Sequence, residues 1–109
     1  MSSGYYIRSF VIGNHKSLFF IVLKFKYKRN LKLALRRNLP EEKLNEVIKL
    51  LATDQPLPAA NKDHALKGEF RGFRECHIQP NWLLMYRKDD LMLQLVLMRI
   101  GTNADLFGM

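Results

Sequence analysis

From Leu18 the chain runs through six consecutive apolar residues, Leu18-Phe19-Phe20-Ile21-Val22-Leu23. It then alternates, with Phe25 and Tyr27 set against Lys24, Lys26 and Lys28. β-Branched and aromatic residues at a period of two predict a strand over 18–27 with one wet face. The period then changes. Leu31, Ala34, Leu35 and Leu39 fall at helical spacing with Lys32, Arg36 and Arg37 opposite, and Asn30 reads as the N-cap. Pro40 closes this helix and opens a second one. Glu41 and Glu42 occupy the second helix's first turn, where the helix dipole favours acids, and Leu44, Val47, Ile48 and Leu51 form its apolar stripe. The two helices are expected to pair as a hairpin with apolar faces inward.

Residues 53–61, with Pro56 and Pro58, form the long loop that leads back to strands. Residues 70–78 read as a strand weakened by Gly72. Gln79-Pro80-Asn81 reads as a turn, and residues 82–87 as a strong buried strand. Asp89-Asp90 reads as a two-residue turn. Residues 91–100 are nearly all apolar, which predicts a central strand covered on both faces. The order β-α-α-β-β-β predicts one α+β domain over 18–109, two N-terminal helices packed on a mainly antiparallel sheet. Residues 1–17 show no clear period and read as an N-terminal extension in which Tyr6, Phe10 and Ile12 could add a strand. Residues 102–109 read as a short tail carrying Leu106 and Phe107.

Composition narrows the class. A chain of 109 residues that is 48% apolar suits one compact domain and not two. The single cysteine, Cys76, excludes an internal disulfide and a zinc site built on cysteines, and makes a reducing cytoplasm the default location. The six-residue apolar run is far short of the ~20 residues a bilayer span requires, so no membrane role is expected. Charge adds a direction. Residues 1–38 hold nine lysines and arginines and no acid, so the net charge of +8 is concentrated there. That asymmetry fits a polyanion or an acidic protein partner, and equally a solvated basic helix face.

His64 and His77 are the residues best suited to proton transfer, because histidine titrates near neutrality. Side-chain alternation adds a conditional test. With a four-residue loop over 79–82 and a two-residue loop at 89–90, His77 pairs with Leu84, Leu84 with Leu95, and Arg99 shares the His77 face. A three-residue first loop would separate them. An imidazole beside a guanidinium suits RNA cleavage. The 2′-hydroxyl must lose a proton, a cation must hold the charge developing on phosphorus, and the leaving 5′-oxygen must gain a proton. A zinc site of His64, Cys76 and His77 has unsuitable spacing, and Cys76 reads as a core residue. Phe107 is the aromatic best placed to stack on a base, whereas Trp82, Phe73 and Tyr86 read as core.

Three stretches, Lys62-Asp63-His64-Ala65-Leu66-Lys67-Gly68, residues 72–86 with Arg74-Glu75-Cys76-His77 and Pro80-Asn81-Trp82, and Arg99-Ile100-Gly101-Thr102-Asn103 running on to Leu106-Phe107, resemble the YafQ branch of the RelE/ParE toxin superfamily. The resemblance covers about residues 20–108. It implies a small RelE-like fold and the toxin of a type II toxin–antitoxin pair. Such a toxin is an endoribonuclease, or mRNA interferase, that cuts mRNA in the ribosomal A site without a metal or other cofactor. Its partners are then mRNA, the ribosome and a cognate antitoxin encoded by an adjacent gene. His64, His77 and Arg99 fall on the family's catalytic positions, and Phe107 on its terminal aromatic. Lys62, Arg74 and Asn81 fall in the segments expected to hold RNA. Two positions depart: Asn81 stands where relatives commonly have aspartate, and Asn103 where they have a third histidine. Asparagine hydrogen-bonds a phosphate but exchanges no proton near neutral pH. Two outcomes stay open, a nuclease relying on His64 and His77 with Asn103 positioning RNA, and a toxin-fold module that binds antitoxin, RNA or ribosome without cutting. A gyrase poison of the same fold is a third reading, disfavoured by the histidine motifs.

Overall fold

The computed structural model describes residues 6–8, 11–12, 15–16 and 19–107; the side chains of the first three stretches and of Phe107 lie outside the described part. Eight strands and three α-helices follow in order: β1 (Tyr6–Arg8), β2 (Val11–Ile12), β3 (His15–Lys16), β4 (Phe20–Leu23), α1 (Phe25–Arg36), α2 (Glu41–Ala52), β5 (His64–Ala65), β6 (Arg74–Gln79), β7 (Trp82–Asp89), β8 (Gln94–Gly101) and α3 (Asn103–Phe107). Six strands form one sheet in the order β1-β4-β8-β7-β6-β5, and β2 pairs with β3 apart from it. Only the β4–β8 pair of the large sheet is parallel. Helices α1 and α2 cover one face, as the α+β reading expects. Of the extension's expected strand residues, Tyr6 lies in β1 and Ile12 in β2, while Phe10 lies outside the described residues.

The core lies between helices and sheet. Tyr27 and Ala34 of α1 and Leu44, Val47 and Leu51 of α2 pack with Cys76, Ile78, Trp82, Leu84, Tyr86, Leu95, Leu97 and Ile100. The α2 stripe is the one expected from spacing. The start of α1 is not. The strand expected over 18–27 stops at Leu23, and the helix begins at Phe25. Tyr27, Leu31 and Ala34 form one helical face, and burying Tyr27 and Ala34 outweighs the weak strand preference of a single alternating cycle. Asn30 is therefore inside α1 and caps nothing. Its side-chain oxygen accepts the Ile100 N–H at 3.4 Å, tying the helix to β8.

Two further expectations are corrected. Residues 70–73 are not strand: a short 3-10 turn spans Gly68–Phe70, and Gly72 takes φ +97°, a backbone state that favours glycine. Residues 91–93 are not strand either. The hairpin loop between β7 and β8 runs over 90–93 and is not the two-residue turn expected at 89–90. Asp89 Oδ1 accepts the N–H groups of Leu91 and Met92, which builds a turn that Asp89 itself caps. Leu91, Met92 and Leu93 are exposed in it.

The tail expected after β8 contains helix α3. Thr102 and Asp105 form a reciprocal cap: Thr102 N–H donates to Asp105 Oδ2 at 2.9 Å, and Asp105 N–H donates to Thr102 Oγ1 at 3.2 Å. The Thr102 bonds, foremost the one from its backbone, hold the Asp105 carboxyl below its ordinary pKa, and Arg37 adds to this. Arg37 Nη1 reaches Asp105 Oδ2 at 3.1 Å while its guanidinium lies 5.2 Å over the Trp82 ring, so α1, β7 and α3 meet at one corner.

Candidate active site

Regular alternation in β6 and a β-bulge in β8 decide which side chains share the face away from the helices. In β6 the register slips between His77 and Gln79, so Cys76 pairs with Leu84 and His77 with Leu83. The slip lies beyond His77, toward the turn; His77 alternates with the core residues Cys76 and Ile78 and so faces away from the helices. In β8 the register slips between the partners of Met85 and Tyr86, so Tyr86 pairs with Leu97 but Met85 with Arg99. That inserts Met98 and turns Arg99 out of the core face. His77 and Arg99 do share a face, as the sequence reading required, but not through the pairing it assumed. Leu84 pairs with Ile100, not Leu95, and His77 with Leu83, not Leu84.

The result is two adjacent rows across the sheet. One row runs His64, Glu75, Met85 and Arg99 through β5, β6, β7 and β8. The next runs His77, Leu83 and Gly101. From strand spacing and rise, the His64 and His77 backbones are about 8 Å apart, and those of His77 and Arg99 about 12 Å. Leu83 and Met85 are buried and form an apolar floor between the histidines and the arginine. Glu75 is 6% exposed, and its Oε2 is buried without a partner; so is Arg99 Nε. Glu75 was not singled out from the sequence. The available signal was its alternation with His77, which puts both on one face of β6.

Each histidine is held by a backbone carbonyl. His77 Nδ1 lies 3.3 Å from the Pro80 carbonyl, an acceptor only, so the ring donates there, and in its neutral form it keeps the lone pair on Nε2. His64 Nδ1 donates to the Lys62 carbonyl at 2.7 Å, and its Nε2 lies 3.4 Å from Glu75 Oε1. Only the imidazolium form offers a hydrogen to both of those oxygens. Lys62 takes φ +48°, an uncommon state for a side-chain-bearing residue, at the end of the 3-10 turn Ala59–Asn61. Asn61 Nδ2 donates to the His77 carbonyl at 2.7 Å and pins the bulge. Arg99 Nη2 donates to the Asp105 carbonyl at 2.9 Å, so α3 steadies it.

The other expected site residues divide. Lys62 lines a cleft with His77, and Asn81 is exposed in the turn just beyond it. Asn103 is exposed at the start of α3, beyond the strand that carries Arg99. Phe107 ends α3, and its side chain lies outside the described residues. Arg74 is not brought to the site. It alternates with Cys76 and so points to the helix side, where Nε and Nη2 donate to both oxygens of Asp63 at 3.3 and 3.1 Å. That bond raises its pKa and commits the guanidinium to structure. Asp63 also accepts Tyr86 Oη at 2.6 Å, which ties the segment before His64 to β6 and β7. Cys76 is fully buried on the helix side, and burial pushes its thiol up to about 12, so it is neither a nucleophile nor a partner of His77 in a metal site. Among the described residues no helix is long and apolar enough to cross a membrane.

An antiparallel face of this size, backed by two helices and carrying its polar groups on the last strands, is the RelE-like toxin fold. The comparisons give the family. A profile described as bacterial toxin of type II toxin–antitoxin system, YafQ, matches residues 21–108. The chain is 41% identical over 83 residues to the mRNA interferase toxin YafQ of Escherichia coli strain K12, spanning 75% of this chain and 88% of that one. The crystal structure of YafQ from E. coli strain BL21(DE3) superposes with a TM-score of 0.76 at 37% identity, over 81% of this chain and 97% of that one. A chain of the E. coli DinJ–YafQ toxin–antitoxin complex gives a TM-score of 0.76 at 38% identity, over 84% and 99%. The chain belongs to the YafQ family of type II toxins, as its three motifs led us to expect.

Proposed function

We propose that this toxin cleaves mRNA through His77, His64 and Arg99. The observation that carries the reading is the β8 bulge, which turns Arg99 onto the face that alternation along β6 gives to Glu75 and His77 and that pairing gives to His64. His77 Nε2, with its lone pair free, takes the proton of the 2′-hydroxyl as that oxygen attacks the neighbouring phosphorus. Arg99 balances charge on the phosphoryl oxygens, and its Asp105 contact limits its wandering. His64 returns a proton to the departing 5′-oxygen from Nε2, which its 3.4 Å separation from Glu75 holds only loosely. Glu75 orients that ring and balances its charge. The chemistry calls on no metal or cofactor. Lys62, Asn81, Asn103 and the Phe107 ring hold the RNA.

The same reading assigns a cognate antitoxin, by analogy with the DinJ–YafQ complex, a cytoplasmic location, and action on ribosome-bound mRNA. Residues 18–109 form the toxin domain and residues 1–17 an extension to it. The test is expression with and without the antitoxin encoded beside the gene, with mRNA 5′ ends mapped. Codon-phased cuts are expected, reduced about 10²–10⁴-fold in His77→Ala, the usual share of one acid–base group. Growth arrest without cuts would replace the reading with binding alone, the alternative that Asn103 favours.

A further inference from the structure

A cleft of about 340 Å³ opens beside His77, lined among others by Lys43 of α2, Asn61, Lys62, Gln79 and Pro80. We propose that it seats the nucleotide on the 5′ side of the cut, with that nucleotide's own 5′-phosphate between Lys43 and Lys62. The inference rests on the assignment of His77 as the base. Its Nε2 must meet the 2′-hydroxyl of the upstream nucleotide, so the rest of that nucleotide lies on the His77 side of the scissile phosphate. Arg99 lies on the other side, two strands away across the Leu83 and Met85 floor. The cleft is what the His77 side offers.

Its chemistry matches. Two lysines line it and no acid does, although α2 also carries Glu41, Glu42 and Glu46. Pocket volumes of ~300–1,000 Å³ are usual for small ligands, so this one suits a single nucleotide. Pro80 gives the base an apolar surface, and the Gln79 amide offers a donor and an acceptor to a base edge. The cleft is also braced. Asn61 is fixed by its bond to the His77 carbonyl, and the Lys62 carbonyl is engaged by His64, so both histidines and the cleft share one loop.

The test uses the full chain and fluorescence anisotropy with short oligoribonucleotides made uncleavable by a 2′-O-methyl group at the reacting position. One carries phosphate throughout. A second has a neutral methylphosphonate at the linkage 5′ to the reacting nucleotide, and a third has it two linkages to the 3′ side. Wild type is expected to bind the first several-fold more tightly than the second. The slope of log affinity against log salt is about 0.7 shallower for the second, the share of one phosphate on single strands. Lys43→Met is expected to lose that discrimination, while Lys32→Met on α1 weakens binding to both and keeps it. Equal affinities in wild type, discrimination that survives Lys43→Met, an effect confined to the third oligomer, or no binding at all would each overturn the cleft. Failure of the nuclease reading shows separately, as a chain that discriminates in this way yet leaves mRNA 5′ ends unchanged.

Discussion

Asp63→Ala gives the sharpest test of how the His64 segment is held. Asp63 accepts three hydrogen bonds, one from Tyr86 Oη at 2.6 Å and two from Arg74 at 3.1 and 3.3 Å. The three are unequal. Tyr86 is 1% exposed, so removing the carboxylate leaves a buried hydroxyl without its acceptor. A charge-assisted bond contributes roughly 1.5–3 kcal/mol, and a stranded buried group costs ~1–3. Arg74 keeps 42% of its side chain exposed, so water takes over its donors and its ion pair adds at most ~1 kcal/mol. Because the first two figures describe largely the same event, the expected loss is about 2–4 kcal/mol. On the scale of 4–8 °C per kcal/mol for a domain near this size, Tm falls by roughly 8–32 °C.

Urea unfolding followed by circular dichroism measures this, with the slope m unchanged. Asp63→Asn retains an acceptor for Tyr86 and should lose less than about 2 kcal/mol. Tyr86→Phe should cost about 1 kcal/mol, since Asp63 keeps its arginine. The double variant should then be less damaged than the sum of the singles by at least ~1 kcal/mol, because no hydroxyl is left stranded. Strict additivity, or an Asp63→Ala loss under ~0.5 kcal/mol, would refute the account. At temperatures where Asp63→Ala remains folded, its cutting should still fall, because the loop carrying His64 has lost its anchor.

Gly101→Ala would set a methyl 2.8 Å from Asp105 Cβ and push α3 away from β8. A stability loss of ~1–3 kcal/mol is expected, together with a fall in cutting as the Asp105 carbonyl leaves Arg99; undiminished cutting would uncouple α3 from the site. Burial raises the phenol pKa of both Tyr27 and Tyr86, with Asp63 adding to the shift at Tyr86. The folded state thus holds these protons more tightly than the unfolded state, so stability is intact below about pH 10 and falls as pH rises above it. In a variant with Tyr5→Phe and Tyr6→Phe, which keeps Tyr27 and Tyr86 as its tyrosines, tyrosinate absorbance should appear together with unfolding, and its appearance in still-folded protein would contradict the burial. Asn103→His should change cutting less than about tenfold if His64 and His77 cover both proton transfers, whereas a gain of 10² or more would show that a third group is needed.

The sequence disclosed what depends on long, regular spacing. The α2 stripe, the buried β7 and the core position of Cys76 are stated by periodicity, and three spaced motifs identify the family. What escaped depends on single residues or on contacts made only in the fold. One alternating cycle from Lys24 to Lys28 cannot separate a period of two from one of 3.6, so Tyr27 was placed in a strand. The exposed run Leu91-Met92-Leu93 looks like core until Asp89 is seen to cap the turn. Helix α3 had a signal in Thr102 and Asp105, three residues apart, but in so short a segment it was not separable from tail. Arg74 looked like an RNA contact because it lies in the same motif as His77, and the pleat sends it to the other side of the sheet.

The β8 bulge carries a consequence for Asn103. A regular β8 with this core would have sent Arg99 into the helices, so the residue inserted there is what brings Arg99 to the face that His77 reaches by alternation with Cys76 and Ile78. Glu75 reaches the same face without a bulge and brings a buried carboxylate oxygen within 3.4 Å of His64. A buried, underpartnered carboxylate is costly unless a donor lies close, and the His64 ring is the donor at hand. The proposed mechanism asks one histidine to accept a proton and the other to give it, on two adjacent strands. On that mechanism Asn103, exposed on α3 past the end of β8, needs only to hydrogen-bond the RNA, and the absence of a histidine there would change how substrate is held more than whether protons can move.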